Sequence, residues 1–262
     1  MYNKYIIIIT AENKEKYIIN TIQSCLKTFH NKQKIIVIYT RLLNEKYLKS
    51  KFSYFKNIIF LKNSKKKRLS TQDQIYKIEK TIKFINNEWI LLLDGDDVFK
   101  FNKIKVLDKL KLEKSKIYLH DHDEKKSNLK LYQNKKYYKK FFIYKKFFND
   151  WSEKINTSSI VVSGNLLKNF YKKTNPYQWK FLAIDVQLIL YYFYKNKFEF
   201  IDQNLTTKLE DINNLDKNYS NKIKKNYWLR RKEQHDLTLK LSGKKNLIDR
   251  LVTKICLKLF FK

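Results

Sequence analysis

Four short apolar runs, each followed by a stretch with helical spacing, constrain this chain more than any other feature. KYIIIIT, KIIVIYT, NIIFLKN and EWILLLDGDDVF are rich in β-branched and aliphatic residues and do not alternate with polar ones, as befits strands buried on both faces of a parallel sheet. Between them, Ile18, Ile22, Cys25 and Phe29 recur at three- and four-residue steps, with Asn13 placed to cap the helix they predict. RLLNEKYLKSKF predicts a second helix. In STQDQIYKIEKTIKFINN, Ile75, Ile78, Ile82 and Ile85 form another stripe, and Thr71 with Gln74 has the spacing of a capping box. Strands alternating with helices predict an α/β domain: a Rossmann-like, open, mainly parallel sheet flanked by helices and wound by right-handed crossovers.

Further along, the spacing predicts a helix over 102–112, a strand at KIYLH, a strand in INTSSIVVSG and a short helix at NLLKNFY. WKFLAIDVQLILYYFYKN predicts one long, largely buried helix carrying the single acid Asp185; FEFID is a further strand and 219–241 a further helix. No Pro/Gly/Ser-rich stretch divides the 262 residues, so the expectation is one domain over 1–242 and a C-terminal helical appendage over 243–262.

The formal net charge of +32 brings nucleic acid to mind. Yet Gly and Pro are scarce while Lys, Asn, Ile, Tyr and Phe abound, the pattern an A/T-rich coding bias leaves on solvated faces. Arg, the better phosphate fork, occurs only at 41, 68, 230, 231 and 250, so nucleic acid is not the expected partner. Cys25 and Cys256 have no ligand-like spacing and fit a reducing, cytoplasmic setting. Neither a signal peptide nor an apolar stretch of bilayer-spanning length is apparent.

Chemistry concentrates at LLLDGDD. Asp94 and Asp96 fall at alternate positions if the strand continues through them, and Gly95 lets a bulky ligand approach the backbone. In open α/β sheets ligands collect at the carboxyl ends of the strands, where Asp94 stands. Carboxylates crowded against a sheet repel one another; Mg²⁺ or Mn²⁺ shared with substrate phosphates relieves that repulsion.

IIIITAENKEKYIINTIQSCL followed by ILLLDGDDVF resembles the family 2 glycosyltransferases of the GT-A fold, which use nucleotide-sugar donors. The resemblance implies that Thr10, Ala11 and Glu12 lie against the nucleotide, that Asp94 and Gly95 face the ribose or diphosphate, that Asp96 with Asp94 holds the metal and that Asp97 supports them. Arg68 and Asp73 are the nearest polar candidates for the donor side. Where members carry acids that read the base, this chain has Tyr39, Thr40 and Arg41. Asp185 occupies the place of the general base of inverting members, though Ile184 replaces the acid that usually precedes it. NYWLRRKEQHDL resembles a C-terminal basic motif, implying Arg230 and Arg231 for the diphosphate and His235 as a further metal ligand.

The expected acceptor is a saccharide or lipid-linked saccharide, as in cell-surface polysaccharide or lipopolysaccharide synthesis. His120 and Asp121 of HDHDE, at a polar strand end, are candidates to contact it. The C-terminal segment pairs an apolar stripe (Ile248, Val252, Ile255, Leu259) with Arg250, Lys254, Lys258 and Lys262 at four-residue steps. Such a helix either packs on the domain or lies on an anionic membrane surface, here the cytoplasmic face of the inner membrane, to which KKYYKKFFIYKKFF would add. A nucleotidyltransferase also places paired aspartates on metals, but no glycine precedes Gly95 to build its phosphate loop.

Overall fold

The computed structural model describes residues 4–11, 15–28, 33–42, 44–63, 69–126, 129–133, 155–209, 224–243 and 247–260. The caps and contacts expected of Asn13, Glu12, Phe29 and Arg68, and the Lys- and aromatic-rich patch within 135–148, lie outside them.

The four apolar runs form β1 (Tyr5–Ala11), β2 (Lys34–Tyr39), β3 (Ile58–Lys62) and β4 (Trp89–Asp94), all paired in parallel in the order β3-β2-β1-β4. Because strand side chains alternate, Ile6, Ile8, Ile90 and Leu92 enter one core layer while Ile7, Ile9, Leu91 and Leu93 enter the other. Burial of each such side chain contributes roughly 1.5–3 kcal/mol. This is why the runs are continuous rather than alternating in hydrophobicity.

One layer is closed by α1 (Glu15–Thr28), α2 (Glu45–Lys51) and α4 (Lys103–Lys109), through residues such as Ile18, Ile22, Cys25, Leu48 and Leu107. The other is closed by α3 (Ser70–Thr81), α5 (Gly164–Lys173), α6 (Ile184–Phe193) and α7 (Lys225–Ser242). Helix α8 (Leu247–Phe260) follows as the C-terminal appendage.

Beyond β4 the sheet becomes mixed. A short β5 (Val98–Phe99) leads through α4 to β6 (Ile117–Lys126), which is flanked by β7 (Leu129–Gln133), β8 (Ile160–Ser163) and β9 (Phe198–Leu209). β8 runs antiparallel to both β4 and β6, β6 and β9 are parallel, and β5 pairs antiparallel with the far end of β9. The return of β9 to β5 brings it directly behind the acidic turn.

Three local expectations need correction. Thr71 and Gln74 form no capping box: α3 has Leu69 at its N-cap with no side-chain cap, Thr71 Oγ1 donates to the Lys180 carbonyl at 2.6 Å, and Gln74 reaches elsewhere. The stripe through Ile82 breaks because α3 stops at Thr81 and continues as a single 3₁₀ turn, Ile82–Phe84. The long helix expected around Asp185 begins only at Ile184. The amides of Lys180, Phe181 and Leu182 instead donate to the carboxylate of Glu233 on α7, at 3.0, 2.7 and 3.1 Å, which holds that segment as a loop.

Candidate active site

The sheet changes direction between β1 and β4: β2 and β3 extend from one side of β1, and the chain returns to β4 on the other. In open α/β sheets ligands gather outside the carboxyl ends of the strands at such a switch point. Thr10 and Asp94 are register partners there. The Thr10 hydroxyl donates to Asp94 Oδ1 at 3.2 Å, and Gln74 Nε2 from α3 donates to the same oxygen at 2.7 Å. Asp94 is therefore aimed by one residue from β1 and one from α3.

β4 ends at Asp94, and the chain turns at once, with the Asp97 amide donating to the Asp94 carbonyl at 3.0 Å. Asp96 thus sits in a turn and not at an alternate strand position, which corrects the extended-chain expectation. Gly95 is pinned on both sides, its amide on the Thr10 carbonyl at 2.9 Å and its carbonyl accepting from Thr21 Oγ1 at 3.1 Å. A Cβ there would lie 3.1 Å from Ala11 Cα, Ala11 Cβ and the Thr10 oxygen, so a larger residue would have to push the β1 end back by a few tenths of an ångström.

Asp96 and Asp97 are both buried. Ser158 Oγ donates to Asp97 Oδ2 at 2.6 Å and accepts the Asp94 amide at 3.0 Å, so one hydroxyl ties the strand end to the turn. Asn156 Nδ2 and the Leu209 amide also donate to Asp97, each at 3.2 Å. Burial, reinforced by the neighbouring Asp96, pushes the Asp97 carboxyl up to about 6 against the pull of the Ser158 hydrogen bond. With Asp97 taken up by three protein donors, Asp94 and Asp96 are the carboxylates of this turn that a divalent cation would use. Among the described residues no group of three or more His, Cys, Asp or Glu forms a metal cage, so phosphate oxygens of a bound ligand would have to complete the coordination.

Asp185 lies in the first turn of α6, buried, with Thr157 Oγ1 donating to its Oδ2 at 3.4 Å and the Val186 amide to its Oδ1 at 2.7 Å. Thr157 begins the 3₁₀ turn Thr157–Ser159 and also accepts from Gln74 Nε2 at 3.4 Å. The structure thus brings Thr10, Gly95, Asp94, Asp97 and Asp185 into one hydrogen-bonded assembly, with Asp96 buried in the turn between Gly95 and Asp97.

The other candidates are placed differently. Asp73 forms a buried ion pair with Lys77 at 2.7 Å, and Lys77 Nζ also donates to the Ala11 carbonyl at 3.0 Å. Lys77 thus places a cation at the end of β1. His120 is fully buried, its Nδ1 2.7 Å from the Asp121 carbonyl; burial, with Lys103 nearby, holds the ring well below its ordinary pKa. Asp121 accepts the His122 amide at 2.8 Å, and burial raises its carboxyl. Arg230 is buried on α7. Arg231 and His235 both converge on Asp249 of α8: Nη2 of Arg231 lies 2.8 Å from each carboxylate oxygen, and His235 Nε2 lies 3.2 Å from Oδ2.

Gln74, Lys77, Thr157, Ser158 and Glu233 carry none of the motifs that marked Asp94. A lysine or glutamine on a helix reads as a solvated residue, and only the register between helices and strands shows where it points.

No protein-family model and no curated protein matches the chain. Solved structures do. Staphylococcus aureus TarS 1–349 in complex with UDP-GlcNAc has a TM-score of 0.64 at 13% identity over 98% of this chain and 71% of that one. TarS 1–349 without a stated ligand gives 0.63 at 14% identity, covering 97% and 69%. The mannosyltransferase PcManGT from Pyrobaculum calidifontis, in complex with GDP-Man and Mn²⁺, gives 0.63 at 8% identity, covering 99% and 70%. The fold is therefore GT-A-like, shared with glycosyltransferases whose structures hold nucleotide sugars.

Proposed function

We propose that this chain is a nucleotide-sugar-dependent glycosyltransferase of the family 2 type that transfers with inversion to a saccharide or lipid-linked saccharide acceptor in the cytoplasm. The observation that carries this is the joining of the strand-end carboxylate Asp94 to the helix-start carboxylate Asp185 through Gln74 and Thr157. The complexes of similar fold with UDP-GlcNAc and with GDP-Man and Mn²⁺ support both the donor class and a divalent metal. Synthesis of a cell-surface polysaccharide or lipopolysaccharide is the process such an acceptor belongs to.

Thr10, Ala11 and Lys77 border the nucleotide end of the site; Gly95 lets the diphosphate approach the backbone. Asp96, with Asp94, would hold Mn²⁺ or Mg²⁺ together with the donor phosphates, and the cation would neutralise charge on the leaving diphosphate. Asp185 accepts the proton of the acceptor hydroxyl as its oxygen bonds to the anomeric carbon. The bond from that carbon to the diphosphate breaks on the opposite side, its electron pair leaving with the nucleotide. Thr157 orients Asp185 without bearing charge. Arg231 and His235 act at a distance, by docking α8.

A thermal-shift screen of nucleoside diphosphates and nucleotide sugars, with and without Mn²⁺, tests the proposal. At a ligand concentration about a hundredfold above Kd, binding adds about 2.7 kcal/mol to stability. The expected result is a rise in Tm that needs both metal and one nucleotide and is lost in Asp96→Ala. No metal-dependent shift with any nucleotide, or full turnover by Asp96→Ala, would reject it.

A further inference from the structure

Helix α8 is mounted in the opposite sense to an ordinary surface helix. Two polar side chains face inward beside Leu257: Asp249 and Thr253 are buried on α7, where Arg231 grips the Asp249 carboxylate and Thr253 Oγ1 lies 3.3 Å from His235 Nε2. Arg250 adds a second tie to α7 through Asp236 at 3.1 Å. Most apolar positions face outward. Ile248 is 66% exposed, Leu251 59%, Val252 40%, Ile255 49% and Leu259 71%. These residues recur at the three- and four-residue steps that make one stripe on a helix. Lys254 and Lys258, both exposed, border that stripe on one side.

Turning the stripe inward would carry Asp249 out to solvent and leave Arg231 buried without its carboxylate, a costly outcome for a charged group. The outward mounting is thus built in and does not wait for a ligand. At 1.5 Å per residue α8 is about 21 Å long. No described helix is long and apolar enough to cross a membrane, so α8 suits lying in an interface and not spanning one.

We infer that the outward face of α8 is a docking surface for an anionic lipid bilayer, the stripe entering the acyl boundary while Lys254 and Lys258 meet acidic headgroups. Charge chooses this occupant. An acidic headgroup layer supplies the sign opposite to this lysine border, and the whole chain carries +32, a charge that also sets one copy against another. The inference stands independently of the transfer chemistry.

The test is flotation of the full chain with phosphatidylcholine vesicles, with or without phosphatidylglycerol, at low and high salt. Binding should require phosphatidylglycerol and weaken with salt. Leu251→Asp/Ile255→Asp, and separately Leu259→Asp, should each lower binding at least about tenfold with Tm unchanged, since these side chains are exposed. Lys254→Gln/Lys258→Gln should lower it on the order of tenfold on anionic vesicles alone. Absence of vesicle binding, or binding that survives both apolar variants, overturns the inference. So does a concentration-dependent dimer of the full chain that Leu251→Asp/Ile255→Asp dissolves, which would assign the face to a second copy.

Discussion

Asp94 and Asp185 stand at the two ends of one relay: Gln74 Nε2 is 2.7 Å from Asp94 Oδ1 and 3.4 Å from Thr157 Oγ1, which lies 3.4 Å from Asp185 Oδ2. The acid on the sheet and the acid on α6 are therefore fixed relative to each other by neutral groups on α3 and the 3₁₀ turn. Gln74→Leu keeps the bulk and removes the donor. It should lower kcat by about tenfold to a hundredfold, because misplacing a reacting group by about 1 Å costs that much, while Tm moves little. Gln74→Glu should be worse, setting a like charge against Asp94. A Gln74→Leu enzyme with normal kcat would show that the relay does not position the site.

Asp185→Asn separates binding from chemistry. The amide retains an oxygen for the Thr157 hydroxyl, so the nucleotide-dependent Tm shift should persist. Transfer should fall by about 10²–10⁴, the range general base catalysis supplies. Isothermal titration with the donor nucleotide and a transfer assay on the same sample decide it. Unimpaired transfer removes Asp185 as the base, and loss of nucleotide binding moves it to the donor side.

What was legible in advance follows from how each feature is encoded. β1–β4 appear in the chain as uninterrupted aliphatic runs because both faces of a parallel sheet are buried, and Asp94 is conspicuous for ending one of them. At Asp96 the apolar run argues for a continuing strand and the Asp94–Gly95 dipeptide for a turn; the turn wins, closed by the Asp97 amide on the Asp94 carbonyl and held by Thr10 and Thr21, far away in sequence. Glu233, which holds the loop before α6, and Ser158, which joins Asp94 to Asp97, act across the fold and leave no local pattern. The stripe of α8 is visible in the sequence, but whether it points in or out depends on Arg231 and Asp249, residues 18 apart on different helices.

Lys103 is fully buried, its Nζ donating to the Ser158 carbonyl and Thr206 Oγ1 at 3.1 Å each and lying 3.7 Å from the centre of the Phe99 ring. Burial drives its pKa well below the ordinary lysine value, with Cys25 and Asp97 opposing. Its worth to the fold should lie mostly in the stem and the hydrogen bonds, with little from charge. Lys103→Met, which fills the same space, should cost less than about 1.5 kcal/mol in urea denaturation. Lys103→Ala should cost about 2–5 kcal/mol by leaving a cavity under Ser158. Equal losses for the two variants would mean that the ammonium itself is required.

Asp249 sets the pH dependence of α8. Burial alone would raise its carboxyl, but hydrogen bonds from His235 and Arg231 outweigh that and hold the pKa below the ordinary value. For an acid depressed in the folded state, the stabilisation is complete above the unfolded pKa, about 3.9, and is lost as pH falls through the lower folded value. Amide hydrogen exchange across 247–260 should therefore show α8 protected near neutrality and loosened in acid before the β1–β4 core opens. Asp249→Asn leaves Arg231 buried without a charge partner, a change that costs about 3–5 kcal/mol in comparable pairs. Its α8 should exchange fast at every pH, and with the pair gone the acid-induced step should vanish. Protection of α8 that is equal in the two proteins, or equal in the wild type on either side of the acid range, would show that the Arg231–Asp249–His235 contact is not what holds this helix in place.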